Sequence, residues 1–311
     1  MSEADVLPCA LAPEDSPALA TAVAAGGGRI VAADQAEALV WTDPSDSVGL
    51  STLLAGAPQI RWVQLPFAGI DAFSSILDHH RVWTSAKGAY GEPVAEHALA
   101  LGLAGLRQLT VRARASSWGG AAGRRLMGEQ VTILGGGSIT RALLALLVPF
   151  EVEATVVRRH VAPLDGAPLE GAGRVVGPDA LPEVLPGAAL VVLALALTPE
   201  TRGIIDAVAL DLMDGDAWLV NVARGAHVVT DDLVAALEDG RIGGAALDVT
   251  DPEPLPADHR LWRLDNCLIT PHAANTPRMA EPLLAERVRA NVERFRRGSP
   301  LLGLVDPVLG Y

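Results

Sequence analysis

The sequence predicts an α/β fold built on parallel sheets, and three observations carry that prediction. Short, near-continuous apolar runs alternate along the 311 residues with stretches of helical spacing, as in sheets buried on both faces and linked by crossover helices. One run, Val131-Thr132-Ile133-Leu134, passes through Gly135-Gly136-Gly137 straight into Ser138-Ile139-Thr140-Arg141 and an apolar stretch to residue 147, which reads as strand, tight turn and helix. Half of the residues are apolar, and the chain is long enough for two domains with substantial cores.

In chain order, the first ninety residues give strands at residues 29–31, 38–41, 60–65 and 81–84, with helices at 49–55 and 72–78 between them. Gly91-Glu92-Pro93 then opens a long helix through about residue 115, because Pro93 suits a first turn and Ala95, Ala98, Leu99, Gly102, Leu103, Leu106 and Leu109 keep helical spacing. Its many Ala and Gly residues suit either a dimer surface or a buried connector. Residues 116–128 read as a glycine-rich loop containing a tryptophan. After the central strand–turn–helix, further strands are expected at 153–157, 190–195, 217–222, 245–249 and 267–270. Thr230-Asp231-Asp232 predicts a well-capped helix ending at Gly240, and Glu281-Pro282 predicts a last amphipathic helix to about residue 297, closed by Gly298.

The composition narrows the function. A formal net charge of −13, with no dense run of basic residues, repels nucleic acids and anionic lipids. No apolar run is long enough to span a bilayer, the first residues lack the basic character of a secretory signal, and Cys9 and Cys267 imply no disulfide framework. A cytoplasmic location without a structural metal is therefore expected. Lys87 is the only lysine, so small anions must be held by arginines and backbone amides.

The glycine turn is where such an anion fits. Gly135 accepts dihedrals that a Cβ forbids, Gly137 lets a pyrophosphate approach the backbone, and Ser138 and Ile139 open a helix whose first N–H groups lack partners. Thr140 stands where the dinucleotide fingerprint places its third glycine, the one used for helix-to-strand packing. The strand after this turn ends in Arg158-Arg159, 21 residues past Gly137, where an acid would accept a ribose 2′-hydroxyl and an arginine instead suits a 2′-phosphate. This favours NADP over NAD, with Arg158 as the contact and Arg159 in support. Three strand ends supply the remaining chemistry: Arg224 in Asn221-Val222-Ala223-Arg224-Gly225, Glu253 beyond Leu247-Asp248-Val249, and His272 in Thr270-Pro271-His272. In an open α/β sheet these ends border one crevice, where Arg holds and polarises an anionic carbonyl substrate, His moves a proton and Glu hydrogen-bonds that His.

These motifs, together with Leu197-Thr198-Pro199-Glu200-Thr201-Arg202-Gly203 and Glu253-Pro254-Leu255, resemble the D-isomer-specific 2-hydroxyacid dehydrogenases, in order from about Phe67 onward. The resemblance implies two flavodoxin- or Rossmann-like domains, a substrate domain from residues 1–92 and 280–311 and a doubly wound dinucleotide-binding domain from 93–279, usually paired as a homodimer. It implies hydride exchange between NADP(H), or NAD(H), and a small 2-keto or 2-hydroxy acid. By the same resemblance Arg224 binds the substrate carboxylate, His272 is the acid/base and Glu253 its partner. Phe67, Ala68 and Gly69 lie in the loop that grips the carboxylate, Thr198 and Asp248 lie on the cofactor, and Asp248 faces the nicotinamide amide. Ala196 departs from the family's usual proline, Glu253 argues against formate dehydrogenase activity, and no regulatory domain is expected after the last helix. A rival from another class is a cofactor-sensing interaction protein of the corepressor type. Phe67 and Tyr90 suit either the substrate pocket or the core.

Overall fold

A computed structural model of the chain describes residues 6–162 and 168–307. Two compact units result, one from both chain ends, up to Tyr90 and from Thr276, and one from Gly91–Asn275.

The unit of the chain ends holds β1 (Leu7–Ala12), α1 (Pro17–Ala25), β2 (Gly28–Ile30), β3 (Ala38–Trp41), α2 (Ser47–Gly56), β4 (Trp62–Gln64) and β5 (Val82–Thr84). Its five strands are parallel in the order β2-β1-β3-β4-β5, a doubly wound arrangement in which the strand order reverses beside β1. The interior strand β1 and helix α1 are the two elements of this unit that sequence pattern missed. Pro8 sits inside β1, where proline argues against a strand, and α1 is so rich in alanine that it lacks a polar face. The expected helix at 72–78 is a short 3₁₀ turn, Asp71–Ile76.

The last helix of the chain is α9 (Pro277–Arg296), and it begins four residues before the expected Glu281. Pro277 takes the first-turn position predicted for Pro282, which lies inside the helix. The buried Asn291 ties α9 to the sheet, donating to Gln64 Oε1 and Leu302 O at 2.9 Å each.

The second unit has seven parallel strands in the order β12-β11-β10-β9-β6-β7-β8: β6 (Gln130–Leu134), β7 (Glu153–Val157), β8 (Arg174–Val176), β9 (Ala188–Leu193), β10 (Trp218–Asn221), β11 (Gly244–Leu247) and β12 (Cys267–Ile269). The chain leaves β6 toward β7 on one side and returns to β9 on the other, so the topological switch lies at the end of β6. Strands β9, β10 and β11 are buried along their whole length, which is why their apolar runs were legible. The edge strand β8 has three residues and begins with Arg, too little for a periodic signal.

Around this sheet lie α3 (Gly91–Leu106), α4 (Leu109–Arg114), α5 (Ser138–Leu147), α6 (Leu181–Val184), α7 (Ala207–Asp211) and α8 (Thr230–Glu238). The single helix expected to residue 115 is two. Gln108 adopts a left-handed φ of 51°, and the freed Leu106 carbonyl accepts from Arg124 N at 2.7 Å. The small residues of α3 are a packing face within the unit, since a Cβ on Gly102 or Gly105 would collide with Leu190 or Trp218. No side chain caps α8, contrary to expectation: Thr230 Oγ1 donates to Asp251 O and Asp232 accepts from Ala207 N.

Among the described residues no helix is long and apolar enough to cross a membrane, and no cluster of His, Cys, Asp and Glu is arranged to hold a metal. Cys9 and Cys267 are buried free thiols, each pushed up to about 12 by burial.

Candidate active site

The glycine turn lies at the switch point. Gly135 has φ 113°, and a Cβ there would stand 2.1 Å from the Ala194 carbonyl at the end of β9, so both backbone conformation and strand approach demand glycine. Gly137 is the N-cap of α5 and a Cβ on it would meet nothing, which leaves open space in front of the helix N-terminus. Thr140 resolves the departure from the fingerprint: it is fully buried and its hydroxyl donates to Gly135 O at 3.0 Å, bracing the turn where a third glycine would only give room.

Arg158 follows the last paired residue of β7 and donates its own N–H to Val176 O. It is 8% exposed, and its aliphatic part lies on the turn so closely that a Cβ on Gly136 would reach 2.6 Å from Arg158 Cδ. That explains the middle glycine, whose role pattern reading missed. The Nη2 atom donates to Val161 O and Ala162 O at 3.2 and 2.8 Å, while Nε and Nη1 are buried without a hydrogen-bond partner among the described residues. Such orphaned donors cost about 1–3 kcal/mol each. Arg159 is exposed and pairs at 3.2 Å with Glu200, which also accepts from Thr198 Oγ1 at 2.7 Å. It is thus bound to the 198–200 loop.

Arg224, Glu253 and His272 share the other half of the same sheet edge. Strands β10, β11 and β12 are neighbours in register, Asn221 beside Leu247 and Leu247 beside Ile269, so the segments leaving them emerge together. Asn221 shapes the first turn, donating to Arg224 O and accepting from Ala223 N. Gly225 packs so tightly that a Cβ would stand 2.0 Å from the Thr250 carbonyl, and only glycine lets the Arg224 turn lie against the segment leading to Glu253. His272 Nδ1 lies 2.7 Å from Glu253 Oε1. Glu253 as a carboxylate only accepts, so Nδ1 carries the proton and Nε2 remains for chemistry. Both side chains are about half exposed, so the pair adds little to stability.

His272 itself holds a left-handed φ of 51°. Its N–H donates to Asp248 O and Thr270 O at 2.8 and 3.0 Å. The next two amides, of Ala273 and Ala274, donate to the Asp248 carboxylate at 2.8 and 3.0 Å. Four backbone hydrogen bonds thus hold an uncommon conformation at the imidazole's own residue. Thr270 Oγ1 also donates to Asp248 Oδ1 at 2.6 Å, and His97 Nε2 lies 3.0 Å from Thr270 Oγ1 and 3.3 Å from Asp248 Oδ1. The carboxylate assigned by resemblance to the nicotinamide amide is therefore engaged with its own loop. Burial pushes the Asp248 carboxyl up, but the hydrogen bonds from His97, Thr270, Ala273 and Ala274 outweigh it and bring it down to about 2.

A stability consequence follows from that depression. A carboxyl lowered in the folded state contributes stability that is present above its ordinary value and lost as pH falls towards the folded one. Asp248→Asn should cost about 2 kcal/mol at neutral pH, and urea unfolding should show the gap from wild type closing between about pH 4 and pH 2. A gap that stays constant across that range contradicts the assignment.

His227 was also missed. It is fully buried, with Nδ1 3.0 Å from Thr201 O and Nε2 3.3 Å from Leu195 O, and pins the 195–201 loop to the Arg224 turn; burial lowers its pKa, with Arg224 and Arg202 adding to the effect. Nothing in Gly225-Ala226-His227-Val228 distinguishes it by spacing.

The unit of the chain ends carries Phe67, Ala68 and Gly69. Phe67 is exposed, and the carbonyls of Phe67 and Ala68 are fixed by Ala86 N and Ser85 Oγ. Tyr90 belongs to the core: it is 7% exposed, its hydroxyl donates to Pro66 O at 2.7 Å, and burial pushes its pKa up.

Comparison with known proteins bears on the family and the fold. A family profile described as the NAD binding domain of D-isomer specific 2-hydroxyacid dehydrogenases matches residues 97–274. An uncharacterised Corynebacterium melassecola protein, named from the proB 3′ region, is 40% identical over 260 residues, 81% of this chain and 84% of that one. Glyoxylate/hydroxypyruvate reductase A of Serratia proteamaculans is 29% identical over 290 residues, 88% of this chain and 87% of that one. Among solved structures, a D-isomer specific 2-hydroxyacid dehydrogenase from Xanthobacter autotrophicus Py2, in complex with NADPH and MES, matches with TM-score 0.83 and 28% identity over 98% of this chain and all of that one.

Proposed function

The chain belongs to the D-isomer-specific 2-hydroxyacid dehydrogenase family, and from that membership we propose that it is an NADP(H)-dependent reductase of small 2-keto acids, of the glyoxylate/hydroxypyruvate-reductase kind. The observation that carries the reading is the 2.7 Å His272–Glu253 contact on the sheet edge that also presents Arg224. The similar reductases and the NADPH-bound relative support it, and they tilt the choice away from a non-catalytic corepressor-type protein.

The turn at Gly135, Gly137, Ser138 and Ile139 suits a pyrophosphate, and the donors of Arg158 that have no partner among the described residues suit a 2′-phosphate. When bound, NADPH supplies the hydride. Arg224 holds the substrate carboxylate and draws electron density onto the keto oxygen. Glu253 fixes the ring of His272 so that Nε2–H points outward. As hydride reaches C2, the carbonyl pair moves onto oxygen, an O–H bond forms and the His272 Nε2–H bond breaks. The keto acid is reduced to the 2-hydroxy acid, and the imidazole left neutral regains its proton from solvent.

Arg224→Lys tests the fork geometry, since a lysine is a point charge without the planar pair of donors. It should lower kcat/KM about tenfold or more, each tenfold being about 1.4 kcal/mol of transition-state stabilisation. Unchanged kinetics remove Arg224 from the site. The reading as a whole is tested by steady-state oxidation of NADPH and NADH with glyoxylate, hydroxypyruvate and phenylpyruvate. Turnover of the two smaller acids with NADPH preferred is expected, and no turnover with any of them contradicts it.

We also propose a cytoplasmic homodimer. The buried free thiols suit a reducing compartment, and Leu109, Val111 and Trp118, exposed just after α3, offer apolar surface for pairing. Light scattering should give twice the 32.3 kDa chain mass, and Trp118→Glu should reduce it to one chain.

A further inference from the structure

We propose that His97, on α3, is a positioning residue for the acid/base His272, acting through Thr270 and Asp248. This rests on the reading of His272 as the proton donor.

The tautomer follows from the acceptors. Thr270 Oγ1 spends its proton on the Asp248 carboxylate, at 2.6 Å. It can therefore only accept from His97 Nε2, 3.0 Å away, and the second atom near Nε2, Asp248 Oδ1 at 3.3 Å, is also an acceptor. Nε2 of His97 is the donor in either contact. The side chain of Asp248 is 1% exposed, and besides these two donors it takes the amides of Ala273 and Ala274. A buried carboxylate needs every such donor, because each one lost leaves charge unsolvated.

The path is short and physically continuous. Helix α3 packs against β10 and β11, with Ala95, Ala98 and Leu101 on its buried face. That packing fixes His97 over the end of β11, where Asp248 stands, and over the end of β12, where Thr270 stands. From Asp248 the hydrogen bonds run to the two residues after His272, and from its carbonyl to His272 N. The left-handed backbone of His272 is therefore held from α3 as well as from its own strand. Removing the Nε2 donor should let the loop relax towards commoner dihedrals and misplace the imidazole without touching the Gly135 turn or Arg158.

The test compares His97→Gln, whose amide nitrogen reaches where Nε2 does, with His97→Leu, Thr270→Val and the double variant His97→Leu/Thr270→Val. His97→Leu should lower kcat about tenfold, the lower end of one lost hydrogen bond to a charged group, with the KM for NADPH unchanged. His97→Gln should restore most of that loss. Because His97 and Thr270 touch one another and donate to the same buried carboxylate, their losses should couple, and the double variant should depart from the sum of the two single losses. Hydrogen exchange gives a readout independent of turnover: protection of the Ala273 and Ala274 amides should fall in His97→Leu and persist in His97→Gln. Wild-type kcat and protection in His97→Leu, equal losses in the Gln and Leu variants, or additive losses in the double variant would each overturn the proposal. A wild-type protein that reduces no keto acid contradicts the reading of His272 instead, and the exchange experiment still decides whether His97 holds the loop.

Discussion

Removing the imidazole of His272 should lower kcat for keto-acid reduction by roughly 100- to 10,000-fold, the usual contribution of a positioned proton donor, while NADPH binding is retained. The expectation rests on how the two ring nitrogens are divided. Nδ1 is committed to Glu253 at 2.7 Å, so only Nε2 can reach a substrate oxygen. His272→Ala carries a complication that the backbone reveals, since at φ 51° alanine is disfavoured by about 1–2 kcal/mol. His272→Asn is the cleaner variant, because asparagine tolerates left-handed dihedrals yet has no proton to give at catalytic pH. Both should fold, as the half-exposed His272–Glu253 pair contributes little to stability. Glu253→Gln should cost less, leaving the ring in place and changing the pH dependence of kcat. Near-normal turnover in His272→Asn at neutral pH contradicts the assignment.

The second large effect is on cofactor choice. Arg158→Ala should weaken NADPH by about 10- to 150-fold, the worth of one hydrogen bond to a charged group, and weaken NADH far less. Two buried donors of Arg158 have no partner among the described residues, and an acceptor placed before them would remove a cost the fold otherwise bears. A phosphate provides such acceptors, against a global charge of −13 that would otherwise disfavour a more anionic ligand. Because Arg158 also packs on Gly136, its loss will disturb the turn for both cofactors. The ratio of the two dissociation constants is therefore the quantity to read. A ratio near unity in the wild type, or one unmoved by the substitution, shows that Arg158 does not contact the 2′-phosphate.

How much of this was legible in the sequence depended on whether the cause was local. Gly135 could be read because a strand, a turn and a helix follow one another within a dozen residues, and Arg224, Glu253 and His272 because each leaves the end of an apolar strand. The causes that escaped are those set by packing between segments far apart. Gly136 is glycine because Arg158 lies on it. His97 sits on the helix's apolar stripe, one turn before Leu101, and only the register of β11 and β12 brings Asp248 and Thr270 to it. His227 takes its meaning from two carbonyls some thirty residues earlier. The same division explains the fold: the continuous strands β9 to β11 announced themselves, whereas β1, interrupted by Pro8, is held in its sheet by β2 and β3 on either side.

The central claim is that the chain moves a hydride to C2 of a small keto acid and a proton to its oxygen. It is tested most directly by reducing hydroxypyruvate with NADPH deuterated at the transferring position of the nicotinamide ring and analysing the glycerate formed. Membership of the D-isomer-specific family predicts D-glycerate carrying one deuterium at C2, formed at a rate that collapses in His272→Asn. L-glycerate, or glycerate without the label at C2, contradicts the account.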